Sequence, residues 1–300
     1  MAEAWSICAS SERERHAIMK RKVSISLILC FVIQITQHVA PIQADLIAHE
    51  DFESYAAGDL DANGSADNGW TDGWERTYGS NYSVVEQGLF YSNGDITING
   101  GNRSVLAIDD SSTINRSFEA TSNDEIYFSF LFANPVAGFN STLIGGHLSD
   151  NATPTTTYAA IGKMATPEFS VRINAGGFDG VASTTTIGTN ETYFLVGRVS
   201  KDGTDGDMDD HYDRVELWIN PSSLTPGGPQ VTMNNSMGVG SNITHFIFRM
   251  NTSAATMEYQ MDEVRVGTSF GAVIPEPGSA LLVLFGMLLM AHRKRRFRAG

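Results

Sequence analysis

No stretch between Asp45 and Pro277 sustains a 3.6-residue apolar period, and that constrains the fold more than any motif does. Short runs rich in β-branched and aromatic residues recur instead, separated by clusters of Gly, Asn, Asp, Ser and Thr. The predicted strands are Leu46–Phe52, Tyr82–Gln87, Leu89–Ser92, Ser104–Ile108, Asn115–Ala120, Glu125–Phe132, Leu143–Leu148, Tyr158–Met164, Glu168–Asn174, Tyr193–Ser200, Tyr212–Asn220, Thr244–Met250 and Glu258–Gly267. Alternation is clean in several. Ile126, Phe128 and Phe130 oppose Tyr127, Ser129 and Leu131, and Val215, Leu217 and Ile219 oppose Arg214, Glu216 and Trp218. This many strands in one body, with no repeat of fixed period, predicts an all-β fold: a two-sheet antiparallel sandwich, or jelly roll, rather than a propeller or solenoid. The stretch 221–240 reads as a long loop.

Both cysteines, Cys8 and Cys30, precede Asp45, so the body has no disulfide and depends on its apolar core. From Asp45 to Pro277 there are 10 Lys and Arg against 31 Asp and Glu, a net charge near −21. That argues against nucleic acid and anionic lipid as partners. It suits divalent cations, and equally a merely soluble exterior.

The two ends differ from the body. Met19-Lys20-Arg21-Lys22 is a basic start, Val23 to Ile35 an apolar run, and Ile42-Gln43-Ala44 a small-residue cleavage site with Ala44 last. Residues 1–44 are thus expected to be a secretory signal helix, with 1–18 an extension upstream of a start at Met19. At the other end, Pro275-Glu276-Pro277 leads into the apolar stretch Ala280 to Ala291 and then Arg293, Lys294, Arg295 and Arg296. As a helix that stretch covers roughly 18 Å of a hydrocarbon layer about 30 Å thick, so it spans with little margin. The basic cluster places its own end in the cytoplasm and the body outside the inner membrane.

This arrangement over 273–300 resembles the PEP-CTERM sorting signal of Gram-negative bacteria. The resemblance implies recognition by an exosortase at Pro275, Glu276 and Pro277, after signal peptidase has acted at Ala44. The body would then be released or transferred to the cell surface or the extracellular matrix, among exopolysaccharide. A second resemblance covers most of 45–272. Asp51-Phe52-Glu53-Ser54-Tyr55, Gly69-Trp70, Gly73-Trp74, the blocks at 193–199 and 213–221, and Met261-Asp262-Glu263-Val264-Arg265 look like concanavalin A-like, laminin-G-type jelly-roll domains. That family implies glycan binding or a purely structural role. It also implies a structural Ca²⁺ between first and last strands, at Glu53 (or Asp51) and Asp262.

Other candidates come from the residues themselves. Asp59, Asp61 and Asn63 take positions 1, 3 and 5 of a calcium-loop pattern, with Gly64 at 6 and Asp67 at 9; Trp70 stands where the closing Glu belongs. The spacing also fits a metal-free turn. A second acidic run, from Asp202 to Asp213, reads as a solvated hairpin tip. Trp70 and Trp74, with Tyr78 and Tyr82 nearby, are either glycan-stacking rings or core packing. No Glu-x-Asp-x-x-Glu strand, Gly-x-Ser-x-Gly elbow or His-Glu-x-x-His pair occurs. The expected function is therefore non-enzymatic, in adhesion, matrix architecture or glycan binding. The alternative is a polysaccharide hydrolase or lyase on the same fold.

Overall fold

The computed structural model describes residues 45–275, apart from 62, 80–81, 109–110, 136–140, 154–157, 165, 174–179, 202–209 and 253–257. The chain divides into two units, Met1–Ala44 and Asp45–Gly300, and the second carries every strand named below. Ala44, Glu276, Pro277, Arg293 to Arg296, the two segments expected to be terminal helices and most of the acidic run at 202–213 lie outside the described residues. Among the described residues no helix is long and apolar enough to cross a membrane.

The body is an antiparallel sandwich, as the alternation predicts. One nine-stranded sheet runs in the order β16 (Val231–Val239), β15 (Tyr212–Ile219), β14 (Thr192–Ser200), β9 (Glu125–Ala133), β18 (Glu258–Gly267), β7 (Ser104–Ile108), β4 (Tyr82–Val85), β2 (Gly58–Asp59), with β1 (Leu46–Glu50) also paired to β18. A seven-stranded sheet runs β13 (Val181–Thr186), β12 (Glu168–Ile173), β11 (Tyr158–Lys163), β10 (Ser141–Ser149), β17 (Ile243–Thr252), β8 (Ser112–Thr121), β3 (Glu75–Tyr78). A separate hairpin joins β5 (Phe90–Asn93) to β6 (Ile96–Asn99).

The main core lies between the two sheets. Ile126, Phe128, Phe130 and Phe132 of β9 meet Phe246 and Phe248 of β17 and Ile161 of β11 there. The rings pack edge to face: Phe130 and Phe246 are 6.1 Å apart at 67°. The alternate residues of β9, Tyr127 and Leu131, are buried too. They enter a second apolar cluster with Phe194, Val196 and Trp218, roofed by the β5–β6 hairpin and by Phe270, Val273 and Ile274. This is why the central strands read as nearly continuous apolar runs: both of their faces are covered.

Each of the thirteen predicted strands overlaps an observed one. The region 221–240 is corrected: it is not all loop, since β16 occupies Val231–Val239. Four strands absent from the sequence reading are β2, β3, β13 and β16, and each ends a sheet. A fifth is β6 of the outlying hairpin. In β18 regular strand alternation breaks. Glu263 takes a left-handed φ of 51°, the register to β9 shifts between Asp262 and Arg265, and Met261 and Val264 both enter the main core. This is a β-bulge, which inserts one residue and reverses the face assignment beyond it. Asp262 and Glu263 therefore do not alternate as a regular strand would have them.

Candidate functional site

Trp70 and Trp74 are core residues, which corrects the glycan-stacking expectation. They are 3% and 1% exposed, leaving no ring face for a sugar. Trp74 stacks on Phe52 with centroids 5.8 Å apart, and Trp70 meets Phe118 edge to face at 6.1 Å. Their indole N–H groups donate to the His49 carbonyl at 2.8 Å and to Glu50 Oε2 at 3.3 Å. Gly69 permits this seat. Its φ is +89°, and a Cβ there would meet the Ile47 carbonyl oxygen at 1.7 Å.

Beside these rings lies a buried ion pair that the sequence reading missed. Arg116 of β8 is 1% exposed, and its guanidinium pairs with Glu50 of β1. It also donates to Tyr55 Oη at 2.9 Å, to the Ser65 and Asp72 carbonyls at 2.6 and 2.9 Å, and to Asp67 Oδ1 at 3.0 Å. The planar fork thus satisfies several acceptors of the 59–74 loop at once. Burial is the largest influence on Glu50 and raises its carboxyl, against the bonds from Tyr55 and Phe52 and the Arg116 charge. Breaking such a pair by removing one partner costs about 3–5 kcal/mol.

The same loop holds the calcium-pattern residues. Asp59 pairs with the Arg76 guanidinium, and Asp61 Oδ1 accepts the Arg76 backbone N–H at 2.9 Å. The Arg76 bond is the first cause holding the Asp59 carboxyl below its usual range. Asn63 turns its amide N–H toward the Asp59 carbonyl, donating where a cation would need an acceptor. Arg76 and Arg116 thus meet Asp59, Asp61 and Asp67 of this loop.

Glu53 and Asp262 also meet donors. Glu53 Oε1 accepts the N–H groups of Asn102 and Arg103 at 2.6 and 2.7 Å. Asp262 accepts those of Leu89 and Glu263, at 2.9 and 2.8 Å. Gly100 admits Asp262 here, since a Cβ would lie 2.0 Å from Oδ2. Burial, with the Glu53 and Glu263 charges adding to it, pushes the Asp262 carboxyl up to about 9. Among the described residues, no group of three or more His, Cys, Asp or Glu side chains is placed to hold a metal ion. As arranged, these carboxylates fit backbone donors rather than a calcium ion.

The described surface also holds a cavity. It holds about 400 Å³, where β3 ends, β8 begins and β17 ends. Tyr78, Ser112, Thr113, Thr153, Arg249 and Asn251 are among its walls. The strand register sets them side by side, with Thr113 opposite Tyr78 on β3 and opposite Arg249 on β17. Tyr78 is 65% exposed, the most exposed large hydrophobic side chain among the described residues. Ser112 is 1% exposed, and its hydroxyl has no hydrogen-bond partner. An unsatisfied buried hydroxyl costs about 1–3 kcal/mol.

On β10, the strand next to β17, and on β11 beyond it stands a second group, on the face turned from the core. His147 of β10 stacks on Tyr158 of β11, with centroids 4.9 Å apart, and the Arg172 guanidinium lies 5.6 Å from the Tyr158 ring centre. His147 is fully buried, and neither ring nitrogen has a hydrogen-bond partner. Burial first, then the Arg249 and Arg172 charges, holds it well below the usual imidazole range, so it is neutral. Sequence reasoning passed over Tyr78 as one of four neighbouring aromatics, and its placement on an edge strand was the missing signal.

Fold and cavity together define an antiparallel β-sandwich domain with a pocket of mixed polar and apolar lining at one sheet edge. No family model and no curated protein matches the chain. Among solved structures it is similar to the binding domain of Paraclostridial Mosquitocidal Protein 1, at 13% identity over 77% of this chain and 51% of that one, with a TM-score of 0.48. It is also similar to domain 4 of an extracellular GH43 arabinanase from Geobacillus stearothermophilus, in complex with arabinotriose: 14% identity, 76% and 96% coverage, TM-score 0.45. The alginate lyase Aly36B, in complex with an alginate trisaccharide, gives 11%, 74% and 98%, and 0.45.

Proposed function

We propose that this is an exported, non-enzymatic surface or matrix protein, sorted by an exosortase, whose body binds a glycan. The observation that carries the binding part is the edge cavity, with its exposed Tyr78 ring and its threonine, serine and asparagine walls. Sugars need an aromatic face for their C–H surface and convergent hydrogen-bonding groups for their hydroxyls, and this wall supplies both. The sorting part rests on the sequence of both termini: signal peptidase acting at Ala44, exosortase near Pro275 to Pro277, and transient retention in the inner membrane by the C-terminal helix. Exopolysaccharide is then the glycan at hand.

Two measurements test this. Mass spectrometry of the C-terminal peptide from the native cell surface is expected to end near Pro277; an intact 300-residue chain in the cytoplasm would sink the export reading. A glycan array is expected to show retention that Tyr78→Ala reduces about two- to tenfold, as loss of a stacking contact does. Retention on no polysaccharide would leave a structural role alone.

A further inference from the structure

We infer that residues 270–275 are an autoinhibitory strap: docked on the outside of the nine-stranded sheet, they withhold the motif that begins at Pro275 from the protease that cuts there, and cutting proceeds from the undocked strap. This rests on the exosortase reading above and gives the regulation of that same site. Three observations carry it. The first is burial. Phe270, Ala272, Val273 and Ile274 are at most 4% exposed, and Pro275, the first residue of the motif, is buried as well. Phe270, Val273 and Ile274 share one apolar cluster with Tyr127, Leu131 and Trp218, and Gly271–Val273 forms a 3₁₀ turn rather than an extended segment. Proteolysis acts on exposed or locally opened chain, since the scissile bond has to enter the enzyme's cleft.

The second observation is how the strap is tied. The Ser129 hydroxyl of β9, itself fully buried, donates to the Val273 carbonyl. Just ahead of the strap, the Thr268 N–H donates to the Asp45 carbonyl at 2.8 Å and the Ser269 hydroxyl to Asp45 Oδ2 at 3.3 Å. The strap is thus pinned by a central strand at one end and by the start of the body at the other. The third is topology. β18 runs almost directly into the strap and lies inside the nine-stranded sheet, paired to β9, β7 and β1. Completing the sheet therefore delivers the strap to its dock, so folding of the body masks the motif. The strap itself is in no strand pairing, so it can lift while β18 stays in place. The rate of cutting then follows the population of the lifted strap.

The test has two arms. In the first, the full-length protein in detergent is treated with elastase, which cuts after small apolar residues, beside Phe270→Ala and Ser129→Ala. Cutting between 270 and 277 is expected to be slow in the unaltered chain and at least about tenfold faster in Phe270→Ala, with the body left as one fragment. Ser129→Ala removes one hydrogen bond and no ring, so it is expected to speed the cut roughly three- to tenfold, and it decides the matter if Phe270→Ala unfolds the body. Equal rates in the unaltered chain and Ser129→Ala overturn the inference. In the second arm, C-terminal processing is followed by pulse-chase in the producing cells. Faster processing of the variants supports the strap as a gate. Processing of all three chains at one rate overturns the gate and leaves the exosortase reading standing. Processing of none of them overturns the exosortase reading and with it the role given to the strap, even where elastase finds the strap docked.

Discussion

At the scale of single residues, the acidic side chains of this body do several different jobs. Asp59 is a partner for Arg76, Glu50 a buried counter-ion for Arg116, and Asp262 a buried acceptor of two backbone N–H groups. The last has a measurable consequence. The Asp262 carboxyl is raised to about 9 in the fold, so near neutral pH the folded chain keeps a proton that the unfolded chain has released. Its contribution to stability is complete below the ordinary carboxylate range and declines as pH rises toward 9. Melting temperature is expected to fall from pH 5 to pH 9, with a visibly shallower fall in Asp262→Asn. Parallel pH profiles of the two proteins would refute the assignment. None of these roles was legible in the sequence, because an Asp in a run of Asp and Asn looks the same whether water, a guanidinium or a backbone N–H faces it.

Among the elements, the ones visible in sequence and the ones hidden differ in position. Central strands such as β9 and β14 carry Phe, Leu and Val on both faces because both are covered, so they stand out. The end strands β3 and β13 read Glu-Arg-Thr-Tyr and Val-Ala-Ser-Thr-Thr-Thr, and polar edges of that kind resist pairing with other chains. The same polarity removes the periodic signal. Phe270 to Ile274 shows the reverse case: residues just ahead of Pro275 pack as a strap on the outside of the nine-stranded sheet. Phe270 meets Trp218 edge to face at 5.5 Å and Tyr127 at 6.3 Å. Phe270→Ala is expected to cost about 3–5 kcal/mol in denaturant unfolding, as large-to-small changes in buried clusters do. A loss below about 1 kcal/mol would mean the strap does not stay docked. The body thus ends against its own sheet, and the described residues leave no spacer before Pro275.

For the whole molecule, the sandwich stands on apolar burial, with guanidinium groups and backbone donors serving its acidic loops. Chelation is accordingly expected to leave the melting temperature unchanged within about 1 °C, and added Ca²⁺ likewise. A drop of several degrees in EDTA, reversed by Ca²⁺, would restore the calcium expectation for Glu53 and Asp262.

The sequence by itself determined the class of fold, since strand alternation and turn clusters are local properties written in consecutive residues. It also carries the expectations for the two termini, which rest on charge and hydropathy along consecutive residues. Only the tertiary structure decided that Trp70 and Trp74 go inside while Tyr78 stays out. It alone brought Arg116 to Glu50 across 66 residues, and assembled Tyr78, Ser112 and Arg249 around one cavity. The reason is physical: which face of a ring or carboxylate meets water depends on strand pairing between distant segments, and no local pattern encodes that register.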